Sequence, residues 1–196
     1  MTTMVQTPLT LSPDPALIEA LYRAEGKAEI VHGRIQYQMA TGRAPGFAGD
    51  EIAFSLRSFV RANRLSGIAV ADGKGFLVSL PNRSSFSPDA AYYEGPNSGM
   101  KFYTGAPLFA AEVRSENDYG PAAEFEMEEK RRDYFAAGTR VVWDVDVQSE
   151  NVVRKFVTPD ANTPSLIFRK GENADAQEAV PGWTIPVDEL FEPTEQ

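Results

Sequence analysis

The chain has 196 residues, 42% of them hydrophobic and 24% charged, with a net charge of −9. This composition is typical of a globular protein with a single core, and no apolar run is long enough to predict a membrane span. Because cysteine is absent, disulfides, thiolate metal sites and cysteine nucleophiles are excluded, and a cytoplasmic location is the default expectation. The acidic charge argues against indiscriminate nucleic-acid binding, but it allows a local basic groove.

The first part of the chain is predicted to form a helix, a hairpin and a second helix. The first helix covers residues 14–24, with Asp14 or Ser12 as its cap. Alternating segments on both sides of His32 and Gly33 predict a hairpin with its turn at these two residues. His32 is the only histidine, so histidine-rich metal sites are excluded. The second helix is expected near residues 49–64.

The second helix carries three arginines on the face opposite its apolar stripe. They are Arg57, Arg61 and Arg64, and Glu51 lies on the narrow edge between the two faces. One interpretation is a solvated basic face with a first-turn glutamate that the helix dipole favours. The other is a stripe that contacts DNA phosphates, next to an additional metal-site carboxylate.

The middle of the chain contains two acids within short apolar strands. Strands are predicted near residues 68–71 and 75–80, with a hairpin turn at residues 72–75 between them. Asp89 and Glu112 follow, each in an apolar run that is bounded by Pro, Gly or Asn. We expect the two carboxylates to lie on neighbouring strands, on one face of the sheet, close enough to share a cation.

A helix with a lysine on its least charged face follows the two acidic strands. It covers residues 122–137 and ends at Gly138. At about 100° per residue, Lys130 shares this face with the side chains of Ala123, Met127, Tyr134 and Ala137. A buried ammonium needs a carboxylate partner, so Lys130 is expected to point toward Asp89 and Glu112. Two carboxylates and a lysine suit metal-dependent phosphodiester hydrolysis, and the alternative is a purely structural ion network.

The remaining pattern predicts strands near residues 140–147, 151–157 and 165–169 and a last helical turn at 188–191. The fold class is therefore α/β or α+β, with one mixed, curved sheet flanked by helices. We expect one domain at residues 13–192, between a flexible N-terminal tail at 1–12 and a C-terminal tail at 193–196.

The order of these motifs resembles the Uma family of putative restriction endonucleases, within the PD-(D/E)xK nuclease superfamily. The resemblance rests on the Gly33-Arg34 hairpin, Ser87-Pro88-Asp89, Glu112-Val113-Arg114, the run from Lys130 to Gly138, and Val142-Trp143-Asp144. It covers the chain from about residue 17 and includes the C-terminal Pro181-Gly182-Trp183 segment. It implies a restriction-endonuclease-like fold.

The resemblance also implies roles for individual residues. Asp89 and Glu112 match the two metal-binding acids, Lys130 matches a catalytic lysine that lies on the following helix, and Tyr134 is one turn beyond it. Arg114 departs from the superfamily pattern, which has a lysine there. Because arginine stays charged and carries protons poorly, the catalytic work would fall to Lys130. Strand alternation puts Arg114 on the same sheet face as Glu112, so Arg114 could hold a phosphate oxygen.

The function implied is that of a metal-dependent DNA endonuclease. Mg²⁺, with Mn²⁺ as a substitute, would be held by Asp89 and Glu112, with water and phosphate completing its coordination. The expected partners are DNA and a second copy of the chain in a homodimer, with no membrane and no organic cofactor. The alternative is a catalytically silent protein of the nuclease fold with a binding or regulatory role.

Overall fold

The computed structural model of the protein describes residues 13–158 and 162–193. The predicted tail at 1–12 and residues 194–196 of the predicted C-terminal tail lie outside this range, as does Ser12, the alternative cap. Within the described range, no helix is both long and apolar enough to cross a membrane.

Three α-helices occur in the described part of the chain. They are α1 (Pro15–Tyr22), α2 (Arg43–Ala62) and α3 (Pro121–Ala136), and a short 3₁₀ helix covers Val187–Leu190. The strands, in chain order, are β1 (Ala28–Val31), β2 (Arg34–Tyr37), β3 (Ile68–Ala71), β4 (Phe76–Leu77), β5 (Ser85–Phe86), β6 (Ala90–Tyr93), β7 (Tyr103–Thr104), β8 (Phe109–Val113), β9 (Val141–Val145), β10 (Val153–Phe156), β11 (Leu166–Phe168), β12 (Asn173–Asp175) and β13 (Thr184–Pro186).

A six-stranded sheet in the order β11-β10-β9-β8-β6-β3 organises the fold. Strands β8 and β9 pair in parallel and their neighbours pair antiparallel, which confirms the predicted mixed sheet. The β8–β9 connection runs through α3, as a parallel crossover requires. The predicted hairpin is β1–β2, and both turn residues have positive φ, 49° at His32 and 69° at Gly33. Asp14 caps α1, because its carboxylate accepts a hydrogen bond from Ala16 N–H at 2.9 Å.

Hydrophobic side chains cover both faces of the central strands. On one face, α2 buries Ile52 and Leu56 among the rings of Phe109, Trp143 and Trp183. On the other face, α3 contributes Tyr134, whose ring stacks on Phe86 at 4.0 Å between centroids and packs with Ala110 and Val142. The alternation of side chains along β8 and β9 serves both layers, because successive residues point to opposite faces.

Two predictions from the sequence differ from the structure. Helix α2 begins at Arg43 instead of near residue 49, because a proline such as Pro45 is tolerated in the first helical turn, where backbone N–H groups have no partner within the helix. The predicted hairpin at residues 72–75 is wrong. Strand β3 pairs with β6, whereas β4 pairs with β5 and β7 in a separate three-stranded sheet.

A row of acidic residues crosses four adjacent strands of this sheet, β3, β6, β8 and β9. Ala71 pairs with Ala90, and Ala90 pairs with Ala111. Extending both antiparallel registers by one residue aligns Asp72 with Asp89 and Asp89 with Glu112, and Glu112 in turn pairs with Asp144. Such cross-strand neighbours have Cβ atoms roughly 5 Å apart, so the row concentrates negative charge on the sheet. We call these residues (Asp72, Asp89, Glu112 and Asp144) the acidic row.

Two arginines neutralise the innermost member of the acidic row. Arg114 binds both oxygens of Asp144 at 2.7 Å, and Arg131 of α3 contacts Oδ2 of the same carboxylate at 3.0 Å. The Arg114 guanidinium also hydrogen-bonds to Glu124 of α3. This ion network attaches α3 to the sheet.

We predict that Arg114→Met destabilises the fold by about 3 kcal/mol, because it removes the bidentate partner of a buried carboxylate. The measurement is the free energy of unfolding from urea titration. The matched control is Arg132→Met, because Arg132 pairs with Glu128 on the exposed side of α3. That pair should contribute less than about 1 kcal/mol. Equal losses for the two variants would contradict the structural role of Arg114.

Candidate active site

A cavity of about 580 Å³ opens between the β1–β2 hairpin, α3 and the ends of β6 and β8. Its lining includes the side chains of Lys27, Glu29, Asp89, Glu112, Lys130 and Tyr134. Four of these, Asp89, Glu112, Lys130 and Tyr134, were predicted from the sequence as site residues. The structure therefore brings the predicted acids, lysine and tyrosine to one cavity.

Asp89 lies directly before β6, and two groups hold its carboxylate. Oδ2 accepts a hydrogen bond from Val113 N–H at 2.7 Å, while Oδ1 lies 2.5 Å from the ammonium of Lys27. Behind Asp89 is Gly49 of α2, where an added Cβ would lie 3.4 Å from the Asp89 Cβ. The carboxylate is therefore fixed from the sheet side and accessible through the cavity.

Glu112 is the neighbour of Asp89 in the acidic row. Its Oε2 lies 2.8 Å from Lys130 Nζ, and its Oε1 accepts a hydrogen bond from the Tyr134 hydroxyl at 2.6 Å. Burial raises the pKa of the Glu112 carboxyl, and the nearby charges of Asp89 and Glu29 raise it further against the opposing effect of Lys130. An additional cation at this position would therefore be electrostatically favourable.

Lys130 connects two carboxylates from different parts of the chain. Its Nζ lies 2.8 Å from Glu112 and 2.9 Å from Glu29 of β1. Burial works to lower the pKa of Lys130, but the charges of Glu112 and Glu29 outweigh it and raise this pKa above its ordinary value. The side chain is therefore held as a charged ammonium that points into the cavity.

Glu29 was not identified from the sequence, although it is central to this arrangement. Besides Lys130, it contacts Arg83 Nη1 at 2.5 Å and accepts a hydrogen bond from Ser87 N–H at 2.8 Å. Arg83 in turn binds Asp133 of α3 at 2.7 Å. Burial alone would raise the pKa of Glu29, but the charges of Lys130 and Arg83 and the bond from Ser87 lower it to about 2.

Lys27 is the second residue that the sequence interpretation missed. It precedes β1, and its ammonium binds Asp89 at 2.5 Å and Asp72 at 2.8 Å. The signal available was the alternation of the hairpin strand, in which Lys27 and Glu29 share one face while Ala28 and Ile30 lie on the other. Two charged residues on one face of a strand indicate a polar partner opposite, but the sequence does not identify that partner.

The other predicted site residues lie apart from this cavity. Arg114 is on the same face of the sheet as Glu112, but its guanidinium is bound to Asp144 and Glu124, so its side chain is 1% exposed and it has no free donor directed at a phosphate. Glu51 is half-buried on α2. Arg57, Arg61 and Arg64 are exposed on α2 and directly after it, and neither they nor Glu51 line the cavity that the described residues form.

Comparisons with known proteins place the chain in a family and show a similar fold. A model of the family described as "Uma2: Putative restriction endonuclease" matches residues 15–188. The chain belongs to the Uma2 family. Its fold is similar to the crystal structure of a putative nuclease of DUF820 from Anabaena variabilis ATCC 29413, with a TM-score of 0.67 and 14% sequence identity, over 89% of this chain and 96% of that one. No curated protein matches the sequence. The family assignment and the fold support a nuclease.

The chemistry of the site suits a hard divalent cation. Mg²⁺ is commonly held by one or two carboxylates, with the other positions taken by water and substrate phosphate. Asp89 and Glu112 supply two such carboxylates side by side. Among residues 13–158 and 162–193 no group of three or more acidic or histidine side chains is arranged around a possible metal position. Glu29 has three partners, Lys130, Arg83 and Ser87, so Asp89 and Glu112 are the candidate donors for a cation.

The low pKa of Glu29 predicts an acid-dependent loss of stability. A carboxyl whose pKa is about 2 in the fold and about 4.3 when unfolded stabilises the native state above the unfolded value. That contribution, on the order of 3 kcal/mol, is lost as the pH falls from about 4.3 to about 2. We expect Glu29→Gln to be less stable than wild type at pH 7 and to show a smaller decrease across this interval.

The measurement is urea unfolding at a series of pH values. The matched control is Glu25→Gln, at an exposed glutamate just before the same strand, which should follow the wild-type curve. If Glu29→Gln loses as much stability as wild type between pH 4.3 and pH 2, the assignment of this transition to Glu29 is wrong.

Proposed function

We propose that the protein is a divalent-metal-dependent DNA endonuclease, with Asp89 and Glu112 as the ligands of Mg²⁺ or Mn²⁺. The observation that carries this proposal is the convergence of the two carboxylates on neighbouring strands, with Lys130 directly bound to one of them. The family match and the fold support the nuclease class. The cytoplasmic location expected from the sequence stays a prediction.

In the proposed phosphodiester hydrolysis, the site residues have different roles. Asp89 and Glu112 would hold a divalent cation, which would supply Lewis acidity toward the scissile phosphate and lower the pKa of the attacking water. Lys130 stays charged, so its role is to stabilise negative charge that develops on the phosphate and to orient the attacking water, rather than to abstract a proton. Tyr134 fixes the orientation of Glu112, and Glu29 fixes that of Lys130.

Duplex DNA is the proposed substrate, and a homodimer is the proposed assembly. Two copies related by a two-fold axis would present one site to each strand of a duplex.

The proposed phosphate contacts outside the cavity are Arg57, Arg61 and Arg64. Because a helix rises about 1.5 Å per residue, Arg57 lies roughly 12 Å and Arg61 roughly 18 Å along α2 from Gly49, which packs on Asp89. DNA that reaches them must extend beyond the cavity.

A second candidate function is that of a catalytically silent nuclease-fold protein with a binding or regulatory role. The observation that favours it is the pairing of both carboxylates with lysines of the chain itself, Asp89 with Lys27 and Glu112 with Lys130.

The balance of charge around the cavity supports metal binding instead. Four largely buried carboxylates (Glu29, Asp89, Glu112 and Asp133) contact three cations (Lys27, Arg83 and Lys130). This excess of negative charge favours the metal-binding interpretation.

The decisive experiment combines Mn²⁺ titration calorimetry with cleavage of plasmid DNA. Wild type is expected to bind Mn²⁺ and cut DNA, whereas Asp89→Asn should lose both, because one of two charged ligands is removed. The control is Asp50→Asn, the same chemical change at an exposed position of α2. Mn²⁺ binding without cleavage would favour the silent alternative, and cleavage retained by Asp89→Asn would contradict the assigned site.

Lys130→Met separates catalysis from charge balance. The variant leaves two carboxylates with one cation fewer, so we expect a loss of about 3–5 kcal/mol in the free energy of unfolding without metal. Mg²⁺ should restore part of that stability by binding the folded state. Cleavage at saturating Mg²⁺ should stay at least about a hundredfold below wild type. Lys101→Met, at an exposed lysine, serves as control, and a folded Lys130→Met protein that cuts at the wild-type rate would show that Lys130 is not catalytic.

The three arginines of α2 can be tested by their effect on DNA affinity. Replacing Arg57, Arg61 and Arg64 together with Gln should weaken binding equally for all sequences and flatten its salt dependence, because phosphate contacts release counterions. The control replaces three exposed arginines elsewhere, Arg23, Arg140 and Arg169, with the same change in net charge. If both triple variants have the same affinity and salt slope, the α2 arginines form only a solvated face.

A further inference from the structure

The ammonium of Lys27 is shared by two carboxylates that differ in their surroundings. It lies 2.5 Å from Asp89 Oδ1 and 2.8 Å from Asp72 Oδ1. The Asp89 side chain is 10% exposed and the Asp72 side chain 41% exposed, whereas that of Lys27 is 12% exposed. Lys27 therefore contacts one acid in the candidate metal site and one acid at its rim.

The register of the sheet explains why both acids are within reach. Asp72 follows β3 and is aligned with Asp89 in the acidic row, one strand farther from Glu112. Lys27 reaches this pair from the β1–β2 hairpin, which covers the cavity. A small movement of the ammonium along the row would exchange one carboxylate for the other without leaving the lysine unpaired.

A divalent cation and the ammonium of Lys27 cannot both bind the carboxylate of Asp89. Both carry positive charge, and they would compete for the same oxygen at close range. A largely buried ammonium that lost its only partner would be strongly unfavourable, which would oppose metal binding. A second carboxylate at the rim removes this obstacle.

We propose that Lys27 neutralises Asp89 in the metal-free protein and is taken over by Asp72 when a divalent cation binds. The inference rests on the proposed function, because it requires a metal at Asp89. In this arrangement Lys27 is a positioning residue, and Asp72 tunes the affinity of the site for metal without being a ligand. Lys27 lowers the affinity for the cation, and Asp72 raises it.

The test is Mn²⁺ titration calorimetry of the full chain in four forms: wild type, Lys27→Gln, Asp72→Asn and the double variant. Lys27→Gln should bind Mn²⁺ about tenfold more tightly, because the competing ammonium is gone. If Lys27 only supported the fold, the same variant would bind Mn²⁺ more weakly than wild type. Asp72→Asn should bind several-fold more weakly. In the Lys27→Gln background, Asp72→Asn should change the affinity less than about twofold, because the two residues act through one interaction.

Lys74→Gln is the matched control for charge. Lys74 is an exposed residue two positions after Asp72, and its ammonium donates to the backbone carbonyl of Asp72 at 2.7 Å. The Lys74→Gln variant also loses one positive charge close to Asp72. If the gain in Mn²⁺ affinity came only from the change in net charge, Lys74→Gln would show the same gain as Lys27→Gln. We expect less than about a twofold change.

Several results would overturn the proposal. They are an unchanged or weaker Mn²⁺ affinity in Lys27→Gln, an equal gain in Lys74→Gln, or an Asp72→Asn effect that persists in the double variant. If Lys27→Gln does not fold, Asp72→Asn carries the test, and a Kd within about twofold of wild type overturns the proposal. The inference and the nuclease activity can fail separately. If Mn²⁺ binding depends on Asp89 and becomes tighter in Lys27→Gln, but the protein does not cut DNA, the inference is supported and the proposed nuclease activity is wrong.

Discussion

Negative charge on the sheet is the constraint around which the other elements are arranged. The acidic row places four carboxylates side by side across four adjacent strands, and a buried carboxylate without a cation would be too unfavourable to keep. The cations come from three parts of the fold. Lys27 lies directly before the hairpin strand β1, Lys130 and Arg131 lie on α3, and Arg114 directly follows β8. The hairpin and α3 are held over the same face of the sheet because both supply these charges.

The type of cation changes along the row, and the change follows the expected use of each carboxylate. Asp144, at the enclosed end, is held by two guanidinium groups, one of them bidentate. Such planar pairs have fixed geometry and are suited to permanent attachment. Asp89 and Glu112 are instead held by ammonium groups, which are compact charges on flexible stems. The carboxylates that face the cavity therefore have the partners that are easiest to exchange.

The sequence allowed prediction of those parts of the site that lie within a regular element. Asp89 and Glu112 could be placed on strands, and Lys130 on an apolar helix face, because alternation and helical periodicity are local patterns. Lys27 and Glu29 were missed because their partners are distant, 62 residues apart in the case of Lys27 and Asp89. The three-stranded sheet of β4, β5 and β7 was missed for a related reason, since two-residue strands are too short to show a period.

Helix α3 carries a site residue and a core residue at consecutive positions, Lys130 bound to Glu112 and Arg131 bound to Asp144. Glu112 and Asp144 are themselves paired across β8 and β9. The helix cannot slide or rotate on the sheet without disturbing both contacts at once. Fluctuations that open this side of the cavity are therefore tied to the separation of α3 from the sheet, which gives this part of the site the mechanical stability of the core.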